Sequence, residues 1–187
     1  MNEVRPTTAD GDHGGFNRRQ ALGLAGAAAV GAVGAGAVSA PAAAAAGHSG
    51  DVTHMPSVSL ALAQEIAQAA VDYVEANDLP NMFIVVVDAA GDEKASARMD
   101  GNGSASTVLA PIKARTAAAF RRSTAELATS VTNPAAVASF TTAGFSMLGG
   151  GVPIVIDDMV VGAVGVGGGS AEQDDQVAKA AIEAALR

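Results

Sequence analysis

Between residues 57 and 77 apolar side chains recur at helical spacing, Ala63, Ile66, Ala67, Ala70, Val71 and Val74, which predicts an amphipathic helix with one buried stripe. Asn77-Asp78-Leu79-Pro80 closes it. The pattern then changes period. Residues 83–87 are a β-branched run, the turn Asp88-Ala89-Ala90-Gly91-Asp92 follows, and residues 94–99 alternate, with Ala95, Ala97 and Met99 on one face and Lys94, Ser96 and Arg98 on the other. This predicts a hairpin with one face turned inward.

After the loop at 100–104, a second helix is predicted over about 106–122, with Pro111 tolerated near its start and Ile112, Thr116 and Phe120 sharing one face. Ser123-x-x-Glu126 has capping-box spacing and opens a short helix, and Asn133-Pro134 opens another by the cap-then-proline rule. Gly149-Gly150-Gly151 leads into a second hairpin, 152–156 and 159–166, joined by Asp157-Asp158. After Gly167-Gly168-Gly169, Ser170-x-x-Gln173 starts a final helix whose stripe is Val177, Ala181, Ala184 and Ala185. The order is α-ββ-ααα-ββ-α. Two hairpins interrupted by helices predict an α+β domain in two layers, an antiparallel sheet covered by helices.

The first 46 residues obey a different grammar. Arg18-Arg19 precede Ala21-Leu22-Gly23-Leu24 and a long Ala/Gly/Val run that ends in small residues near Val38-Ser39-Ala40 and Ala42–Ala46, the order of an export signal and its cleavage site. The paired arginines and the Gly/Ala-rich apolar stretch resemble a twin-arginine (Tat) signal peptide. Ala21 stands where a large apolar residue is usual, which leaves the general secretory route open. Gly and Ala gain little on transfer into lipid, so no stable membrane span is expected here. The reading is a leader at 1–46, a short linker at 47–56 that carries His48, and one domain at 57–187, secreted after cleavage. About 130 residues suffice for a single hydrophobic core.

Composition narrows the chemistry. There is no cysteine, which excludes thiolate catalysis, Cys-ligated zinc, iron–sulfur clusters and lipoprotein anchoring. The leader balances three acids with three arginines, so the net charge of −8 belongs to the rest of the chain, 16 acids against eight Lys/Arg. Such an acidic domain is a poor partner for nucleic acid or an anionic membrane, and with aromatics at 3% it lacks base-stacking platforms. The three histidines, His13, His48 and His54, all precede the domain, which excludes a Ser-His-Asp triad or a His-rich zinc site within it unless His54 folds back.

What remains is sparse. Gly165-x-Gly167-x-x-Ser170 lacks the third glycine and the following acidic residue of a dinucleotide fingerprint; it keeps backbone N–H groups at a helix start, which favour an anion near Gly168, or simply lets strand and helix approach. Lys113, Arg115, Arg121 and Arg122 form either a solvated helix face or a site for an anionic ligand beside the apolar stripe. A buried Thr116 would bond its own i−4 carbonyl. The pairs Asp157-Asp158 and Asp174-Asp175 have the chemistry to bind hard cations at the surface, but isolated pairs of this kind are mostly solvated turns and helix starts.

Three strings go further: VVVDAAGDEKASARMDG (85–101), KARTAAAFRRSTAELA (113–128) and GGGVPIVIDDMVVGAVGVGGGSAEQDDQVAKAA (149–181). Together, and in this order, they resemble the GlcG/HbpS-like family, related to the C-terminal domain of PduO-type proteins. The resemblance implies a five-stranded antiparallel sheet, homo-oligomers (octamers in exported relatives) and binding of haem or related tetrapyrroles. It also implies a protective or sensory role in haem and iron stress with a membrane sensor kinase as partner. In exported relatives the threonine of the K-A-x-T-A string is associated with the haem iron; here that string is Lys113-Ala114-Arg115-Thr116-Ala117. The resemblance therefore marks Thr116 as the metal-side residue, Lys113 as the propionate partner and Phe120 as a neighbour on the same face. Some members carry an early histidine ligand; the corresponding helix here offers Tyr73 as its comparable donor. Two other readings stay open: an enzyme of the same fold that degrades haem or acts on a small, glycolate-like carboxylate, with Asp, Glu, Lys113 or Tyr73 as the available bases, and a structural or signalling module that works through its surface.

Overall fold

The computed structural model describes residues 53–187; the expected leader at 1–46 with its expected cleavage site, and His13 and His48, lie outside the described residues. Nine elements follow in the predicted order: α1 (Leu60–Ala76), β1 (Phe83–Asp88), β2 (Glu93–Arg98), α2 (Ser104–Phe120), α3 (Thr124–Ser130), α4 (Pro134–Thr142), β3 (Gly151–Ile156), β4 (Met159–Gly167) and α5 (Ala171–Ala185). Helix starts sit where caps put them. The Ser59, Ser123 and Asn133 side chains accept backbone N–H bonds at the starts of α1, α3 and α4, and Ser170 with Gln173 closes a full capping box on α5. Helix α1 thus begins later than its periodicity suggests, because Ser59 caps it. Helix α2 ends at Phe120 because Arg121 turns left-handed, φ 53°.

The sheet is antiparallel with order β2-β1-β4-β3, four strands where the resemblance implies five. Each hairpin supplies two strands, and the stretch before α1 meets the sheet through one backbone bond, Val58 N–H to the Val161 carbonyl at 2.8 Å, too little to count as another. Alternation along β1 divides the interior. Ile84 and Val86 join Ile66, Ala70, Val74, Val164, Val166, Val177 and Ala181 in a core beneath α1 and α5, while Val85 and Val87 face Ala110, Ala114 and Ala117 of α2. The helix-on-sheet pair of the expected two-layer arrangement is therefore joined by a further helix, α2, on the opposite face. As the alternation predicts, Ala95, Ala97 and Met99 pack inward against the α1/α5 core and Lys94 and Arg98 stay exposed.

Helix α2 packs unusually close. A Cβ on Gly165 of β4 would come within 2.1 Å of the Ala110 carbonyl oxygen and 2.7 Å of the Ala114 nitrogen. Alanines on the helix and a bare backbone on the strand let the two touch directly, and this explains how a chain so poor in aromatics still fills its interior. By contrast, α4 buries none of its residues. Phe140 ties it to the rest through edge-to-face contacts with Phe120 and Phe145, ring centroids 5.0 and 6.4 Å apart.

Candidate functional site

The C-terminal end of β4, the N-terminal half of α2 and the first turn of α5 converge on a groove. It comprises two cavities. One of about 310 Å3 is lined by Ala105, Ser106, Leu109, Lys113, Leu148 and Asp174 together with Gly167–Gly169 and Ala171. The other, of about 400 Å3, is lined by Ala125, Ala128, Thr129, Met147, Leu148, Gly149, Ala171, Glu172 and Asp175. Leu148 and Ala171 belong to both.

A buried ion pair sits at the first cavity. Lys113 Nζ lies 2.6 Å from Asp174 Oδ2, both side chains 4% exposed, and donates a second bond to the Val166 carbonyl at 3.0 Å. Asp174 Oδ1 accepts from Gly169 N–H at 2.9 Å, so the pair ties α2, the end of β4 and the start of α5 together. An ammonium has three donors. Two are spent, and the third finds no acceptor among the described residues. Gly150, at φ +111°, gives the pair its room, for a Cβ there would stand 2.6 Å from the Asp174 Cβ and 3.0 Å from Lys113 Nζ. At the rim, the exposed Glu172 carboxyl is held below the usual carboxylate range by a hydrogen bond from its own backbone N–H and, next, by the Ser170 side chain.

Of the residues singled out in the sequence, the groove brings Lys113 and Gly168 together. Thr116 is on the same helix but completely buried, its hydroxyl donating to the Ile112 carbonyl at 2.7 Å and accepting from Ser146 N–H at 3.0 Å. Its side chain lines neither cavity, and the i−4 bond is the one expected of a buried threonine. Phe120 is half-buried in the aromatic cluster with Phe140 and Phe145. Tyr73 lies on α1, across the sheet from α2, where its hydroxyl accepts from Gln176 Nε2 at 2.7 Å. His54 is exposed.

Sequence reasoning missed Asp174 and Leu148. Asp174 reads as a solvated helix-start acid, yet it is 3% exposed because Lys113 meets it from another element. Its partner could not be read from spacing, since 61 residues separate the two. Leu148 lies in an irregular turn, where no periodicity marks a side chain. Among the described residues no three His, Asp or Glu side chains gather as a metal site, and no helix is long and apolar enough to cross a membrane.

Comparison with known proteins agrees with this architecture. The corrinoid adenosyltransferase PduO of Citrobacter freundii is 34% identical over 137 residues, 71% of this chain and 41% of that protein, so the chain spans under half of PduO. The crystal structure of a double mutant of HbpS from Streptomyces reticuli superposes with a TM-score of 0.67 at 29% identity, covering 85% of this chain and 97% of that one. The crystal structure of a PduOC:haem complex superposes with a TM-score of 0.63 at 32% identity, covering 68% and 94%. The family model described as "Haem degrading protein HbpS-like" matches residues 58–183, so the four-stranded sheet, the flanking helices and the groove between them are those of a chain that belongs to the HbpS-like family.

Proposed function

We propose that this chain is an exported, homo-oligomeric binder of haem or a related tetrapyrrole, protective or sensory under haem or iron stress. The observation that carries the reading is the groove itself: apolar walls from Ala105, Leu109, Ala125, Ala128 and Ala171 beside a buried ammonium with one donor unspent. Asp174, Glu172 and Asp175 also line it, so what the groove offers an apolar ring system is its walls and one hydrogen-bond donor. The PduOC:haem complex and the family's description favour haem among such ligands.

The residues present fit the group. Lys113 would take a propionate without leaving Asp174, and Met147, half-buried in the lining, brings a thioether of the kind that serves haem iron elsewhere. Thr116 supports the site from behind, its hydroxyl holding the turn that carries Met147 and Leu148 through Ser146. Haem would supply the iron and the colour; the chain's own residues would supply the apolar walls and the hydrogen-bond donor of Lys113.

Titration of the purified protein with haemin is expected to give a saturable, red-shifted Soret band, with light scattering on the same sample setting stoichiometry per oligomer. A spectrum that stays that of free haemin at micromolar protein overturns the reading. The family's description also favours a second reading, haem degradation. It predicts that the bound Soret band decays on adding a reductant, with release of a linear tetrapyrrole, whereas a binder keeps its band.

Export rests on the leader. Exchanging Arg18 and Arg19 for lysine is expected to hold the precursor inside the cell, checked by fractionation and immunoblot; unchanged export would assign the leader to the general secretory route. A membrane sensor kinase as partner belongs to the same proposal, with pull-down from membranes as its check.

A further inference from the structure

We propose that Leu148 is the side chain that governs entry of a macrocycle into the α2/α5 groove. The inference rests on the haem-binding reading and adds a residue to it. Leu148 and Ala171 line both cavities, and of these two shared residues Leu148 alone has a side chain long enough to divide them. Each cavity alone, about 400 and about 310 Å3, lies at the lower end of the range that small-molecule sites occupy, roughly 300–1,000 Å3. Either takes a fragment. A ring of four pyrroles needs the two joined.

The local structure divides the turn into a fixed backbone and a free side chain. Ser146 N–H donates to the Thr116 hydroxyl at 3.0 Å, and Leu148 N–H donates to the Ser146 hydroxyl at 3.2 Å, so the turn is pinned to α2. The Leu148 side chain is not pinned: the residue is 51% exposed, and it belongs to neither buried core cluster. A half-exposed leucine changes rotamer with little loss of packing. Turned outward, it opens one trough from Leu109 across Ala171 to Ala128, with Lys113 at one end and Met147 at the other. Turned inward, it leaves two small sites. The sequence hides this role, because an isolated exposed leucine needs no explanation in ordinary surfaces.

The test is haemin titration of the full chain and three variants, read at the Soret band. Leu148→Ala, which removes the partition, is expected to tighten binding about fivefold. Leu148→Trp, which widens it, is expected to weaken binding about tenfold. Leu186→Ala, an exposed leucine at the end of α5, is the control and should titrate like the parent. Thermal melts of all four should coincide, since neither leucine is buried. If the parent binds haemin and the Leu148 variants share its midpoint, the inference is overturned and the haem reading survives. If neither the parent nor any variant shifts the Soret band, the haem reading fails and the inference falls with it.

Discussion

Lys113→Ala is expected to lower the unfolding free energy by about 3–5 kcal/mol, and Asp174→Ala by a similar amount, because each leaves the other charge buried without its partner. For a domain of this size that loss corresponds to a fall in melting temperature of roughly 10–20 °C. The abandoned Asp174 carboxylate would keep only the Gly169 N–H, and the abandoned Lys113 ammonium only the Val166 carbonyl. A pair replaced as a whole behaves differently. Lys113→Met with Asp174→Leu should recover most of the loss, since two apolar side chains of similar volume avoid the desolvation that the ion pair must offset. Denaturant titration of the two singles and the double closes the cycle. Single variants as stable as the parent would mean that water reaches the pair and that it contributes no more than a surface bridge.

The second large effect is steric. Gly165→Val is expected to cost about 3 kcal/mol or more, because the new side chain meets backbone atoms of α2 that cannot rotate away. The helix must then lift off the sheet, and Val85, Val87 and Ala163 lose the cover that Ala110, Ala114 and Ala117 provide. The lower urea midpoint should come with weaker haemin binding, as Lys113 rides on the same helix. A variant with the parent's urea midpoint would contradict direct seating of α2 on β4.

The sequence already speaks clearly wherever one physical signal dominates. Alternation of Ala95, Ala97 and Met99 against Lys94 and Arg98 gives β2 its face, and Ser123, Asn133 and Ser170 give three helices their starts. It speaks poorly for α2, which is apolar on nearly every side. The Ile112/Thr116/Phe120 spacing picks out a plausible stripe, yet the residues seated on the sheet are Ala110, Ala114 and Ala117. Small side chains permit close approach, and hydrophobicity does not rank them above larger neighbours. The site suffers from the same gap. Lys113 reads as one cation of a helix face, solvated or facing an anion, but its burial depends on Asp174, far along the chain, and burial of a lysine has no local pattern. Gly168 lines the groove at the start of α5, and Tyr73, chosen by position in α1, accepts from Gln176 of α5 on the other face of the sheet.

The two outer strands also bear on how the protein behaves when crowded. A sheet of four strands has two open rims, β2 and β3, each a template onto which a stray chain could add. Rim β2 presents Glu93, Lys94 and Arg98, and its register against β1 shifts between Val86 and Val87. Rim β3 contains Pro153, which has no N–H to offer, and its register against β4 shifts between Ile154 and Val155. Charge, a missing donor and two irregularities make both rims poor seeds for fibrillar stacking. A chain this rich in alanine and valine thereby keeps its strands from recruiting copies of themselves.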